Sequence, residues 1–303
     1  MVVAGAVGFA GGGLGYGARA LLQRQGEHAR RLIGKPLGEE APQADRVWRK
    51  SYGDPLDLLL LGDSIAAGLG AETRKQTLGG RLSKALAKEL HRSVRLTTAA
   101  VVGSESSRLG EQIDGLPAGY RPDVAVIVVG GNDVTHRVPV AESVAHLREA
   151  VRRLRERGSA VVVGTCPDLG ALRPVPQPLR SLGSRASRQL AAAQAEAALE
   201  AGAHVVSLAD VVGPFFITNP DEMFSLDRFH PSPAGYQHTA RAVLPSVLAA
   251  LGARSEVPFG HHAPLAVDGP RRRRSFLHSP GSSAKHEAGS LHMRVPDIPG
   301  PGS

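Results

Sequence analysis

Residues 57–70 read Asp-Leu-Leu-Leu-Leu-Gly-Asp-Ser-Ile-Ala-Ala-Gly-Leu-Gly, and no other stretch restricts the fold as tightly. A strand with one wet face alternates apolar and polar residues, whereas Leu58 to Leu61 is unbroken. Closed by Gly62, this run reads as a short strand covered on both faces, as in a parallel sheet with helices on either side. The Gly62-Asp63-Ser64 turn then sets a hydroxyl at the carboxyl edge of the sheet, where open α/β sheets build their sites. The plainer alternative is a strand-to-helix turn in which Asp63 or Ser64 only caps the next helix.

The same grammar recurs downstream. Apolar runs at Val94–Val102, Val124–Val129, Ala160–Gly164 and His204–Leu208 alternate with helical patterns. In residues 76–91, Leu78, Leu82, Leu86 and Leu90 recur every four positions, and residues 140–157 bury Val140, Val144, Leu147, Val151 and Leu154 beneath arginines. Ala-rich residues 186–201 and residues 232–251, with Ser232 as cap, complete the helices. Strands alternating with helices through right-handed crossovers predict an α/β fold, a three-layer α/β/α sandwich on a mainly parallel five-stranded sheet. Residues 170–180, with three prolines, and residues 214–226 read as loops near its carboxyl edge. Phe215, Phe216, Met223 and Phe224 in the latter are candidate walls of an acyl pocket, or core.

Three clusters would meet at that edge. Ser64 is a candidate nucleophile, but a serine needs a base and the base needs an orienting group. Asp227 and His230, three residues apart in Asp-Arg-Phe-His-Pro-Ser-Pro, can supply both from one loop, because Pro231 and Pro233 delay the next helix. Gly130-Gly131-Asn132-Asp133 follows the Val124–Val129 run. Asp210 is the competing acid, with loop hydrogen bonding as its plainer role. Cys166 near the site mouth reads as a small buried thiol.

Taken together, these blocks resemble the SGNH or GDSL hydrolases, a family of esterases and lipases. Gly62-Asp63-Ser64-Ile65 matches the Gly-Asp-Ser-Leu block with isoleucine for leucine; Gly130-x-Asn132-Asp133 and Asp227-x-x-His230 match two others. The resemblance covers roughly residues 55–252. It implies a flavodoxin-like sandwich, a Ser64–His230–Asp227 triad, and an oxyanion hole built from Ser64, Gly103 and Asn132. The glycine block departs from the family, with Thr and Ala where an asparagine is usual. The resemblance implies no organic cofactor and no metal. It leaves three activities open: ester hydrolysis with short-chain acyl or O-acetyl substrates, acyl transfer to a sugar or lipid hydroxyl, and a non-catalytic binding module.

Outside that block the chain changes character. Residues 1–18 are uncharged and rich in Gly, Ala and Val, as in an export signal or short membrane anchor, or a flexible leader. Residues 19–54 read as a basic helix and a proline-marked linker, and residues 253–303 as a disordered basic Pro/Gly/Ser-rich tail. The net charge of +8 is densest at Arg271–Arg274. No zinc spacing or aromatic-basic repeat accompanies it, so the expected partner is a small-molecule, carbohydrate or lipid ester rather than nucleic acid. The tail histidines, including His261, His262 and His278, are too irregularly spaced for a metal site. One cysteine excludes an intramolecular disulfide framework. An exported or membrane-associated monomer is the expectation, with a cytoplasmic location as the alternative.

Overall fold

The four leucines Leu58 to Leu61 divide between two cores. Leu58 and Leu60 face one side of the sheet with Val124, Val126 and Val128; Leu59 and Leu61 face the other with Ala125, Ile127 and Val129. The period of two in a strand makes an unbroken apolar run the signature of a doubly covered one. Helices Leu78–Leu90 and Pro233–Ala250 cover the first face, and helices Leu109–Asp114, Val140–Glu156 and Leu179–Glu200 the second. Each leucine is fully buried, worth about 1.5–3 kcal/mol apiece relative to exposure.

A computed structural model describes residues 6–33, 38 and 40–264. Its sheet holds β1 (Val47–Trp48), β2 (Pro55–Gly62), β3 (Ser93–Thr98), β4 (Val124–Val128), β5 (Ala160–Gly164), β6 (His204–Val206) and β7 (His261–His262). The order is β1-β3-β2-β4-β5-β6-β7. Five strands, β3-β2-β4-β5-β6, run parallel, with Leu58 paired to Leu96 on one side and Val124 on the other. The expected parallel sheet is thus its centre. Two-residue antiparallel strands close each edge, so the whole has seven strands rather than five. Two residues carry no periodicity, which is why neither edge was foreseen. The order reverses at β2, with β3 on one side and β4 on the other. That switch point opens a crevice at the carboxyl ends of β2 and β4.

Other differences are local. β3 stops at Thr98 and β6 at Val206, short of the apolar runs that announce them. Residues 213–223 are two helical turns, Gly213–Thr218 and Pro220–Met223, each with a proline in its first turn, where the fixed φ favours helix. Helix Leu179–Glu200 begins well before the Ala-rich core that signalled it. A single helix, Ala6–Ile33, crosses the expected division at residue 18, since extending a helix is cheaper than nucleating one even through glycines. No helix among the described residues is long and apolar enough to cross a membrane. The described chain also passes the expected boundary at 252: β7 pairs with β6, and buried His261 holds Ser246 Oγ at 2.8 Å from its Nδ1. Arg271–Arg274 and His278 lie outside the described residues.

Candidate active site

Ser64 is set by the turn that ends β2. Gly62 has φ +125, and a Cβ there would lie 1.8 Å from the Val128 carbonyl oxygen, so only glycine lets β2 and β4 stay paired through the turn. Asp63 N–H donates to that same oxygen at 3.0 Å. The Asp63 carboxylate then accepts from Ile65 N–H at 3.0 Å, capping the single helical turn Ser64–Ala67. The capping role read from the sequence therefore belongs to Asp63, which leaves the Ser64 hydroxyl unspent.

The loop carrying Asp227 and His230 is a closed turn. Phe224 bridges Pro231, Ser225 N–H donates to His230 O at 2.8 Å, and Arg228 takes a left-handed φ of +57. Asp227 Oδ1 accepts from Ser225 Oγ (2.7 Å), Phe229 N–H (2.9 Å) and His230 N–H (2.9 Å). Its Oδ2 lies 2.6 Å from His230 Nδ1, and His230 Nε2 lies 3.0 Å from Ser64 Oγ. Burial alone would raise the Asp227 carboxyl, but the bonds from the His230 ring, Ser225 and two backbone amides outweigh it and bring the pKa to about 2. The carboxylate is therefore ionised, Nδ1 must be the protonated nitrogen, and Nε2 is left to accept from the serine hydroxyl. The loop is held against the serine turn by Tyr236, whose hydroxyl donates to Leu69 O at 2.7 Å, and by Gly70, where a Cβ would meet Pro231 O at 2.5 Å.

Asn132 opens the helix Gly131–His136 after β4 and lines the cavity beside Ser64 and His230. One proton of its amide goes to Ser104 O at 2.9 Å. Asp133 is buried and accepts from Ser106 N–H and, at 2.6 Å, from Ser143 Oγ, so it staples the loop after β3 to this helix. Gly103, with φ +81, turns that loop; it is exposed and is not one of the cavity's lining residues. Asp63 is pushed up to about 6, chiefly by burial and partly by Asp133, with the Ile65 amide and His230 opposing the rise.

Above this polar floor lies a cavity of about 80 Å³, walled mainly by Leu172, Leu208, Val212, Phe216, Phe224 and Phe229. Of the four sequence candidates, Phe216 and Phe224 line it and meet edge-to-face at 4.8 Å. Phe215 instead packs on His238, and Met223 is buried core. Asp210 accepts from Ser207 Oγ at 2.6 Å, in its own turn. Cys166 is fully buried behind Gly130, and burial pushes its thiol well up. Sequence reasoning missed two glutamines. Gln112 bonds both N–H and O of Gly62, and Gln194 bridges Cys166 N–H and Val129 O, completing the hydrogen bonding of strand ends at the site. A glutamine on a helix face carries no signal of that use. Ser225, next to the matched block, was also missed.

Residues 60–238 match the model of the GDSL-like Lipase/Acylhydrolase family. The chain belongs to this family. It is 38% identical over 259 residues to the GDSL-like esterase Rv1075c of Mycobacterium tuberculosis, covering 82% of each protein. It is 32% identical over 106 residues to Esterase TesA of Pseudomonas aeruginosa, covering 35% of this chain and 52% of TesA. A crystal structure of TesA superposes with a TM-score of 0.51 at 24% identity, covering 64% of this chain and 99% of TesA. A mutant of Axe2, an acetyl-xylooligosaccharide esterase from Geobacillus stearothermophilus, superposes at 0.52 with 21% identity, covering 67% and 99%. The superpositions show the shared fold. As a GDSL-like acylhydrolase, the protein is a carboxylic ester hydrolase.

Proposed function

We propose that this GDSL esterase hydrolyses short-chain acyl esters, O-acetyl esters among them, through a Ser64–His230–Asp227 triad and an acyl-enzyme. The observation that carries the reading is the unbroken chain from Asp227 Oδ2 through the imidazole to Ser64 Oγ, with spacings of 2.6 and 3.0 Å. Ser64 Oγ attacks the ester carbonyl while His230 Nε2 takes its proton and then returns it to the departing alkoxide. Water, deprotonated by the same nitrogen, attacks the acyl-enzyme and releases the acid and the serine. Asp227 holds Nδ1–H and stabilises the imidazolium.

The oxyanion is assigned to the Ser64 amide and to the second proton of the Asn132 side chain, the first being held by Ser104 O; the family resemblance alone adds the amide of Gly103, which does not line the cavity. Losing one such donor costs about 10²–10³ in turnover. Chain length follows from volume. A cavity of only about 80 Å³, walled by apolar side chains beside Ser64, supports a short acyl chain over a long one. Hydrolysis of p-nitrophenyl esters from two to sixteen carbons, wild type beside Ser64→Ala, is the test. Serine-dependent turnover peaking at two to four carbons is expected; a peak at twelve or more contradicts the short-chain assignment.

A further inference from the structure

The acyl cavity does not end at its lining. The two segments that wall it continue outward into a second, much larger groove of about 760 Å³. Residues 167–169, 171 and 172 line the cavity and Arg173, Pro174 and Pro176 the groove; 229–231 line the cavity, and 225, 226 and 228 the groove. Phe224 belongs to both. Part of the groove's lining comes from outside the family block: His28 and Leu32, in the last turns of the N-terminal helix. That helix is fastened to the Pro-rich segment by Gln25, whose amide donates to Gln177 O at 2.6 Å and accepts from Leu179 N–H at 3.2 Å.

The geometry points to this groove as the binding site for the alcohol half of the ester, and to a polyhydroxylated, sugar-sized alcohol as its occupant, with the N-terminal helix as a specificity wall. The inference rests on the triad reading above. An ester held with its carbonyl at Ser64 divides there, and the narrow apolar cavity takes the acyl side. The alcohol needs the other space, and the groove is roughly nine times larger.

Its chemistry selects the alcohol. Glu72, Asp221 and Arg228 line it, and their side chains have no hydrogen-bond or ion-pair partner among the described residues. An alkyl chain laid there would strip water from charged groups and offer nothing back. Vicinal hydroxyls supply both donors and acceptors to carboxylates and a guanidinium. Pro174, Pro176 and Leu226, the last 81% exposed, offer apolar faces to the C–H face of a sugar ring.

The test compares two acetates of primary alcohols with rings of one size: 6-O-acetylglucose and cyclohexylmethyl acetate, on the full chain. The wild type is expected to show at least about a tenfold higher kcat/KM for the sugar ester, the worth of one charge-assisted hydrogen bond. Glu72→Ala/Asp221→Ala is expected to lower that ratio by about tenfold or more. Both side chains are exposed and unpartnered, so the fold is not at stake. Gln25→Ala, which frees the helix from the Pro-rich segment, lowers the same ratio if the helix is a working wall. A wild-type ratio at or below one, or ratios unchanged in both variants, overturns the groove assignment while Ser64-dependent turnover of p-nitrophenyl acetate leaves the triad standing. Absence of turnover on every acetate removes the triad reading and the groove with it.

Discussion

Replacing Asp227 with asparagine tests whether the carboxylate acts by fixing the proton on His230. Oδ1 accepts three donors, from Ser225 Oγ, Phe229 N–H and His230 N–H, while Oδ2 accepts only Nδ1–H. An asparagine can point its oxygen at one set. Facing its NH₂ to these groups would leave the Phe229 and His230 amides without an acceptor, at about 1–3 kcal/mol each, because only the Ser225 hydroxyl can turn round and accept; that is more than the single bond to the ring is worth. The amide nitrogen is therefore forced towards Nδ1. A donor there makes Nδ1 the acceptor and drives the ring proton to Nε2, facing Ser64 Oγ at 3.0 Å. The base is then occupied by the proton it should remove. Turnover is expected to fall by about 10⁴, equivalent to about 5 kcal/mol of transition-state stabilisation. The assay is kcat/KM on p-nitrophenyl acetate, with circular dichroism and a thermal melt to show that the loop persists. A folded Asp227→Asn variant within tenfold of wild type would refute the tautomer argument.

Three other outcomes follow from the same geometry. Gly62→Ala puts a methyl 1.8 Å from Val128 O at φ +125, so no soluble, cooperatively melting protein is expected; a melt within a few degrees of wild type contradicts the strand-end geometry. Phe216→Ala opens the acyl cavity and should move the acyl optimum from two to four carbons towards six or eight, at a stability cost of about 3–5 kcal/mol, read from the ester series and urea unfolding. The third is a pH dependence with opposed limbs. Asp227, lowered to about 2, contributes stability above pH 4 that is lost as pH falls towards 2. Asp63, raised to about 6, destabilises the fold above pH 6 and is relieved as pH falls to 4. Asp63→Asn should therefore gain about 2 kcal/mol relative to wild type between pH 4 and 7.5 in urea titrations; a pH-independent difference contradicts the raised carboxyl.

What the sequence makes legible depends on whether the physics is local. Leu58–Leu61 is readable because double burial leaves its mark on consecutive residues, and it fixes both the parallel sheet and the turn that presents Ser64. The Asp227-x-x-His230 spacing is readable because one tight loop holds both groups. Gln112 and Gln194 are not, since they serve backbone atoms 28 to 65 residues away. The edge strands β1 and β7 are set by what they pair with rather than by their own two residues. Residues 214–226 read as a loop because prolines punctuate them, yet two helical turns form there, since proline in a first turn starts a helix as readily as it ends one. The lining of the acyl cavity is drawn from segments scattered between Asp63 and Thr239, and in an aromatic-poor chain only its phenylalanines, Phe216, Phe224 and Phe229, stand out.

The triad assignment is checked most sharply by trapping the acyl-enzyme. The protein is mixed with p-nitrophenyl acetate, quenched in acid within the first turnovers, digested and weighed peptide by peptide. A single acetyl adduct on the peptide bearing Ser64, present in wild type, enriched in the Asn132→Ala variant if deacylation slows, and absent in Ser64→Ala, is the expected result. An adduct on another residue, or undiminished turnover by Ser64→Ala, would contradict the assignment of Ser64 as the nucleophile.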